Sequence, residues 1–421
     1  MSRTPDALDL SAFAALPPDP LGKILGDGFD GIPRGELART TPPVAELATP
    51  YLTIDADAVE HNVTALQRWC DERGYLLAPH DKTTMAPQLW SRQLAAGAWG
   101  ITVATLAQIR VALACGVRRV LLANPLATPA AAARVRALLA DRPGHEVVSW
   151  VDGVAAVEAL GDTEGPELPV LLDVGRPGGR TGVRDLDEAR AVVEKVLATP
   201  GVRLAGTAAY EGAIGGTPGR ADIAAFAAHV LAVHRDVVLP RTGATALLSI
   251  GGSDRLGEVA DGLAGLSADD GRVVVRSGVS ITHDDGHYRH EQETAPGPVP
   301  RFRAALRLVA TVISVHDGGT ALLDCGRRDV GQDAGLPTPF ELWRGDDVVG
   351  TATADAAVVR MNDQHGFLAA GSFAAVPEVG DRVVLGISHP CTTFDKWRDI
   401  VEVAGPLAPG SVAVGLVRTC F

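Results

Sequence analysis

From Tyr51 onward, nine short aliphatic runs alternate with amphipathic stretches, and this alternation limits the possible folds more than any single motif does. The runs are YLTID (51–55), YLLAP (75–79), GITVA (100–104), RVLLAN (119–124), EVVSWVD (146–152), PVLLDVG (169–175), RLAGTAAY (203–210), TALLSIGG (245–252) and RVVVRSG (272–278). Segments 56–73, 86–97, 128–141, 185–198 and 220–236 between them read as helices. Strand–helix alternation repeated this often predicts a parallel sheet, and eight units after one preliminary strand is the count of a closed (β/α)8 barrel of the TIM type. An open doubly wound sheet would give a similar string. No Gly-x-Gly-x-x-Gly follows the first strand, which disfavours a dinucleotide fold.

Three segments follow from this pattern. Residues 1–48, rich in Pro, Ala and Gly, read as an extension with one short helix, expected to pack on the second domain. Residues 49–295 form the barrel. After Pro296-Gly-Pro-Val-Pro300 the texture changes: runs at 307–315, 320–326, 356–362, 381–388 and 399–405 carry no helical pattern between them, so 296–421 is expected to be a β-rich domain. The 38 basic residues against 51 acidic ones, a formal charge of −13, argue against a nucleic-acid partner. No run approaches the ~20 apolar residues of a membrane span, and the N-terminus lacks a hydrophobic signal core, so a cytoplasmic protein with no membrane partner is expected. Five scattered cysteines (70, 115, 325, 391, 420) speak against a disulfide framework and leave a metal ligand or reactive thiol open.

A (β/α)8 barrel places its chemistry at the C-terminal ends of the strands. There the sequence offers His80-Asp-Lys82-Thr83, the Gly-rich loop up to Arg180, Tyr210-Glu-Gly212, Gly251-Gly252-Ser253 and Arg276-Ser-Gly278. Only four lysines occur (23, 82, 195, 396), and arginine cannot form a Schiff base, so Lys82 is a candidate covalent amine; a surface lysine is the other reading. Gly251, Gly252 and Ser253 precede a predicted helix over Asp254–Leu266, a setting for a phosphate or for a plain turn with Ser253 as N-cap. Arg180 is suited to a phenolate or carboxylate, although most arginines lie on the surface. Tyr210 ends a strand and reads either as a ring contact for a bound cofactor or as a core tyrosine. In the second domain His389-Pro-Cys391 follows an apolar strand. Two ligands on the same side of an extended chain suit an open zinc site, while an incidental pairing is the bland reading.

These motifs together resemble the D-serine dehydratase and D-threonine aldolase family of pyridoxal-phosphate enzymes. The resemblance runs from about 49 to 405 through Thr49-Pro50, Pro79-His80-Asp-Lys82-Thr83, Arg180-Thr-Gly-Val183, Gly251-Gly-Ser253 and His389-Pro-Cys391-Thr-Thr393. It implies an alanine-racemase-like barrel with a β domain, Lys82 carrying the cofactor, and His80, Arg180, Tyr210 and the 251–253 loop around it. It also implies zinc on His389 and Cys391, and a homodimer. The activity it implies is β-elimination (dehydration and deamination) of a D-β-hydroxy amino acid such as D-serine to a keto acid and ammonia. Aldolases of the family usually carry Asp at the place of Cys391 and favour manganese, which makes a D-threonine aldolase the alternative. A non-catalytic pyridoxal-phosphate carrier would resemble the barrel alone. A racemase needs a tyrosine from the β domain, whereas all four tyrosines (51, 75, 210, 288) precede it in the chain. This chain departs from the family pattern at Thr84-Met85, where a second His or Lys is common, and in a longer loop before Arg180.

Overall fold

The computed structural model describes residues 8–421 except 18, 20, 21, 25, 27, 28, 30, 162, 163, 215–217, 296, 297 and 317. The first two residues of the Pro-rich segment, where the domain break is expected, lie outside the described residues. Strand β1 (Tyr51–Asp55) is followed by β2 (Leu76–Leu77), β3 (Ile101–Val103), β4 (Arg119–Pro125), β5 (Glu146–Val151), β6 (Leu168–Asp173), β7 (Val202–Ala208), β8 (Leu247–Ser249) and β9 (Arg272–Val275). Strands β2 to β9 form an eight-stranded parallel sheet in which β9 pairs β2 and each other strand pairs the next, up to the seam between β2 and β3. That seam is closed at one point, the parallel bridge His80–Thr102, where Asp81 N–H donates to Thr102 O at 2.8 Å. The barrel is therefore nearly closed, and the closure lies directly beside Lys82.

Local chemistry explains the helix starts. The side chains of Asp55, Thr105, Thr128 and Asp185 accept backbone N–H groups at the first turns of helices Ala56–Glu72, Leu106–Ala114, Pro129–Ala140 and Leu186–Ala198, satisfying donors that a helix leaves orphaned. Inside the barrel, Leu76, Ala78, Leu121, Val148, Trp150, Leu171 and Val274 fill the floor. A larger apolar layer seals the helices to the outside of the sheet. Against the expectation of no membrane-length run, one helical stretch among the described residues, Arg220–Thr245, is 26 residues long and apolar enough by length and composition to cross a membrane. Here Ile223, Phe226, Val230 and Leu231 on this stretch are buried in that outer layer.

The preliminary strand stands apart from the eight barrel strands. Strand β1 does not enter the barrel; it pairs antiparallel with β10 (Leu306–Val315) and parallel with Asp399–Val403, within the ten-stranded second sheet. The barrel sheet thus begins at Leu76, and β1 ties the two domains together. Its residues are buried on both faces: Leu52 and Ile54 pack with Leu308, Leu385 and Trp397, while Tyr51 packs with Trp343 and Val401. Ile24, Phe29, Leu37, Val44 and Leu47 of the N-terminal extension pack on the second sheet.

Candidate active site

A cavity of about 340 Å³ opens at the C-terminal ends of the barrel strands and is walled on one side by the β domain. His80, Lys82, Arg180, Tyr210, Gly252, Ser253, His389 and Cys391 all line it, together with Thr83, Asn124, Trp150, Arg276 and Tyr288. Of the candidate cofactor and metal residues, Gly251 alone is not part of this lining. Residues up to 311 positions apart in the chain (80 to 391) thus converge on one space.

Lys82 sits in the turn just after the barrel's closing bridge and exposes its side chain to the cavity. His80 beside it is held well below its ordinary value of 6.5, chiefly by burial and then by the charges of Lys82 and Arg276, so its ring is neutral. Thr83 Oγ1 lies 3.1 Å from Cys391 Sγ and joins the lysine turn to the β domain. Thr84 and Met85, the departure from the family pattern, are buried. Thr84 Oγ1 accepts from Trp90 Nε1 at 3.2 Å, and Met85 belongs to the layer under the helices.

Two glycines explain how Tyr210 fits. A Cβ on Gly212 would lie 2.6 Å from the Tyr210 hydroxyl, and one on Gly252 would lie 2.9 Å from its ring. Burial pushes the Tyr210 phenol up to about 12, so it is protonated. The Arg180 guanidinium lies 5.3 Å from the centre of the same ring. Its loop is held from behind by Arg184, which donates to the carbonyls of Arg176, Thr181 and Gly179 at 2.6, 3.0 and 3.2 Å. Arg184 organises the longer loop, and nothing in the local sequence marks it.

The glycine loop departs from expectation in two ways. The helix after it is short, Leu256–Gly262, and begins two residues later than predicted. The amides of Gly251 and Gly252 do not face the cavity; both donate to the carboxylate of Glu211, a residue 2% exposed. The donors that converge beside the cavity are Gly278 N–H and Val279 N–H, 3.2 and 3.1 Å from Ser253 Oγ. Gly278, named in the sequence as part of a strand end, has no room for a side chain, since a Cβ there would meet His80 O at 2.2 Å. Arg276, listed in the sequence only as a strand end, is buried and donates to Ser249 Oγ and Ala209 O, each at 2.6 Å. Trp150 Nε1 and His80 Nδ1 are buried polar atoms without a protein partner in the wall of this cavity. Such orphans fit a polar ring ligand better than an apolar one.

At the β-domain wall the chain does not stay extended through His389-Pro-Cys391. Pro390 is in the helical region (φ −61, ψ −42) and Cys391 opens a short helix, Cys391–Phe394. The two side chains meet through this turn, not through strand alternation. The Cys391 sulfur within hydrogen-bonding reach, with the Asp333 carboxylate behind, pushes His389 up to about 9. His389 Nδ1 donates to Asp333 Oδ2 at 2.6 Å, which fixes the orientation of the ring. Asp333 Oδ1 accepts from Thr392 Oγ1 at 2.6 Å. No group of three or more metal-ligating side chains occurs among the described residues. Asp333 was not anticipated, and neither was Tyr288. Although it precedes the β domain in sequence, helix His287–Thr294 brings Tyr288 into the cavity, its ring 6.4 Å from that of His389. Burial drives its phenol well above the ordinary value, opposite to what a tyrosine acting as a base requires. Chain position therefore does not keep a tyrosine out of this cavity.

Residues 54–246 match the alanine racemase N-terminal domain, and residues 305–403 match a family described as "Putative serine dehydratase domain". The chain is 27% identical to the D-threonine aldolase of an Arthrobacter species, over 89% of this chain and 93% of that one. It is 29% identical to the D-threo-3-hydroxyaspartate dehydratase of Delftia sp. HT23, over 87% and 96%. The solved D-threonine aldolase of Filomicrobium marinum superimposes with a TM-score of 0.73 at 24% identity, covering 90% of this chain and 97% of that one. The Delftia enzyme has also been solved with a histidine replaced, and, in a metal-free form, with a cysteine two positions further on replaced.

Barrel, β domain and the cavity between them define an alanine-racemase-like protein of the pyridoxal-phosphate class. Within it, the chain combines an alanine racemase N-terminal domain with a domain of the putative serine dehydratase kind, its relatives include a D-threonine aldolase and a D-threo-3-hydroxyaspartate dehydratase, and it is an enzyme of the lyase type.

Proposed function

We propose that this protein is a pyridoxal-phosphate- and zinc-dependent lyase that eliminates the β-hydroxyl of a D-β-hydroxy amino acid such as D-serine as water, which hydrolysis of the resulting enamine takes up again, so that the net products are a keto acid and ammonia. The observation that carries the reading is the donor set His389 and Cys391, backed by Asp333 and lining the same cavity as Lys82. Imidazole and thiolate suit zinc, and two protein ligands leave positions for a substrate hydroxyl or water. When bound, the cofactor supplies an electron sink at Cα and the metal a Lewis acid at the β-oxygen.

The chain's own groups take the remaining roles. Lys82 Nζ is the attachment point for the cofactor and the base for the Cα proton. Ser253 Oγ with Gly278 N–H and Val279 N–H would hold the phosphate. Arg180 would face the phenolic oxygen and Tyr210 the pyridine side. Asp333 fixes the tautomer and direction of His389, and Thr83 holds the Cys391 sulfur. The Delftia dehydratase, with replacements of the same two residue types at the same spacing and a metal-free form among its structures, supports a metal at this pair. The working form is taken to be a homodimer, which sedimentation at micromolar concentration would test.

A second reading, metal-dependent retro-aldol cleavage of D-threonine to glycine and an aldehyde, is supported by the aldolase names among the relatives. Cys391 favours the first reading, because a thiolate shifts preference from manganese towards zinc. The deciding experiment incubates the protein, with zinc or manganese, with D-serine, D-threonine and the 3-hydroxyaspartates, assaying keto acid and aldehyde separately. Keto acid and ammonia that vanish on chelation and return best with zinc support elimination. Aldehyde plus glycine without keto acid makes it an aldolase.

A further inference from the structure

Glu211 is a buried carboxylate that the proposed chemistry does not use, and its contacts are unusual for an acid. It follows the β7 strand end in the turn Glu211–Ala213, and both its oxygens accept backbone amides, Gly251 N–H at 3.3 Å and Gly252 N–H at a shorter distance. Gly251 is gripped from the other side as well, because its carbonyl accepts Arg276 N–H at 2.8 Å. Gly251 has φ +98, a backbone conformation that favours glycine, and a Cβ on Gly252 would come within 3.0 Å of Glu211 Oε1. The next residue is Ser253, whose hydroxyl meets the Gly278 and Val279 amides. A carboxylate accepting two adjacent amides fixes the peptide planes between them, and so the direction in which the following side chain leaves.

We infer that Glu211 is a positioning residue that pre-forms the phosphate cup, locking the 251–252 peptide so that Ser253 Oγ stands among the Gly278 and Val279 donors before any ligand arrives. This rests on the reading that the cavity holds pyridoxal phosphate. The lock acts on the phosphate end alone, so it should distinguish the phosphorylated cofactor from pyridoxal, which lacks that group. In Glu211→Gln one acceptor becomes an NH2 that faces an amide donor, and the loop must shift to relieve the clash.

The test titrates cofactor-free full-length protein with pyridoxal phosphate and with pyridoxal, following absorbance and tryptophan fluorescence. For Glu211→Gln the dissociation constant for pyridoxal phosphate should rise on the order of tenfold, that for pyridoxal less than about threefold. Glu211→Asp, too short to span both amides, should fall between. Where Glu211→Gln does not fold, Gly252→Ala serves in its place, since its Cβ pushes the carboxylate off the amide. Equal losses for both ligands would make Glu211 a general structural residue and overturn the inference. So would unchanged affinity, or a gain, which would mean that the carboxylate repels or competes with the phosphate. Failure of the unsubstituted protein to bind pyridoxal phosphate would instead sink the underlying reading.

Discussion

Asp333→Asn tests the metal reading most directly, because Asp333 touches the proposed zinc site only through His389. Its carboxylate accepts two hydrogen bonds of 2.6 Å, from His389 Nδ1 and Thr392 Oγ1. Asparagine keeps one oxygen, so it satisfies one of the two donors and presents an NH2 to the other, and the charge that polarises the imidazole is lost. Removing such a carboxylate behind a metal-binding histidine lowers metal affinity by about 10- to 100-fold. The Asp333 side chain is 52% exposed, so water screens part of its charge and the low end applies. The expected loss is therefore about tenfold in zinc affinity, or ~1.4 kcal/mol. Competition against a chromophoric chelator at pH 7.5 measures it, with the cofactor absorbance as a control that the barrel site is intact. Zinc binding by Asp333→Asn as tight as in the unsubstituted protein, with normal folding, would refute the reasoning that His389 is a ligand oriented through Nδ1.

Three other predictions follow from the same structure. Lys82→Ala should abolish borohydride-stable attachment of pyridoxal phosphate, and a labelled peptide elsewhere on mass mapping would move the attachment point. Buried His234 donates or accepts only through Thr207 Oγ1 and Asp270 O, at 2.7 and 3.0 Å, and burial pushes it down from 6.5 to about 4. The unfolded chain therefore takes up this proton first. Its contribution is intact above about pH 6.5 and is lost as pH falls towards 4, on the order of 3 kcal/mol, and His234→Gln should flatten the denaturation midpoint over that window. Arg136, 1% exposed, donates to the carbonyls of Leu160, Gly165, Pro166 and Gly201. Arg136→Leu strands those acceptors and should cost roughly 3 kcal/mol of stability, seen as a lower melting temperature without a change in cofactor spectrum.

The alternation of aliphatic runs with helical segments determined the barrel, because a 2-residue period and a 3.6-residue period are local properties of the chain. The strand-end rule then put Lys82, Arg180, Tyr210 and Ser253 at one mouth without any knowledge of contacts. Pairing and approach are not local, and these the tertiary structure decided. Strand β1 looks like a barrel strand from its five residues, yet its register partners, Val309 and Val401, lie more than 250 and nearly 350 positions away. Glu211 reads as an ordinary acid after a tyrosine until folding brings the amides of Gly251 and Gly252 to it. Asp333 carries no motif, and only the turn at Pro390 swings His389 onto it. Which donors each buried group finds depends on the packing of distant segments, and a buried polar atom must find one or incur its desolvation cost. That requirement acts on the folded chain alone, which is why the lysine and the His-x-Cys pair were legible in the sequence and the groups that aim them were not.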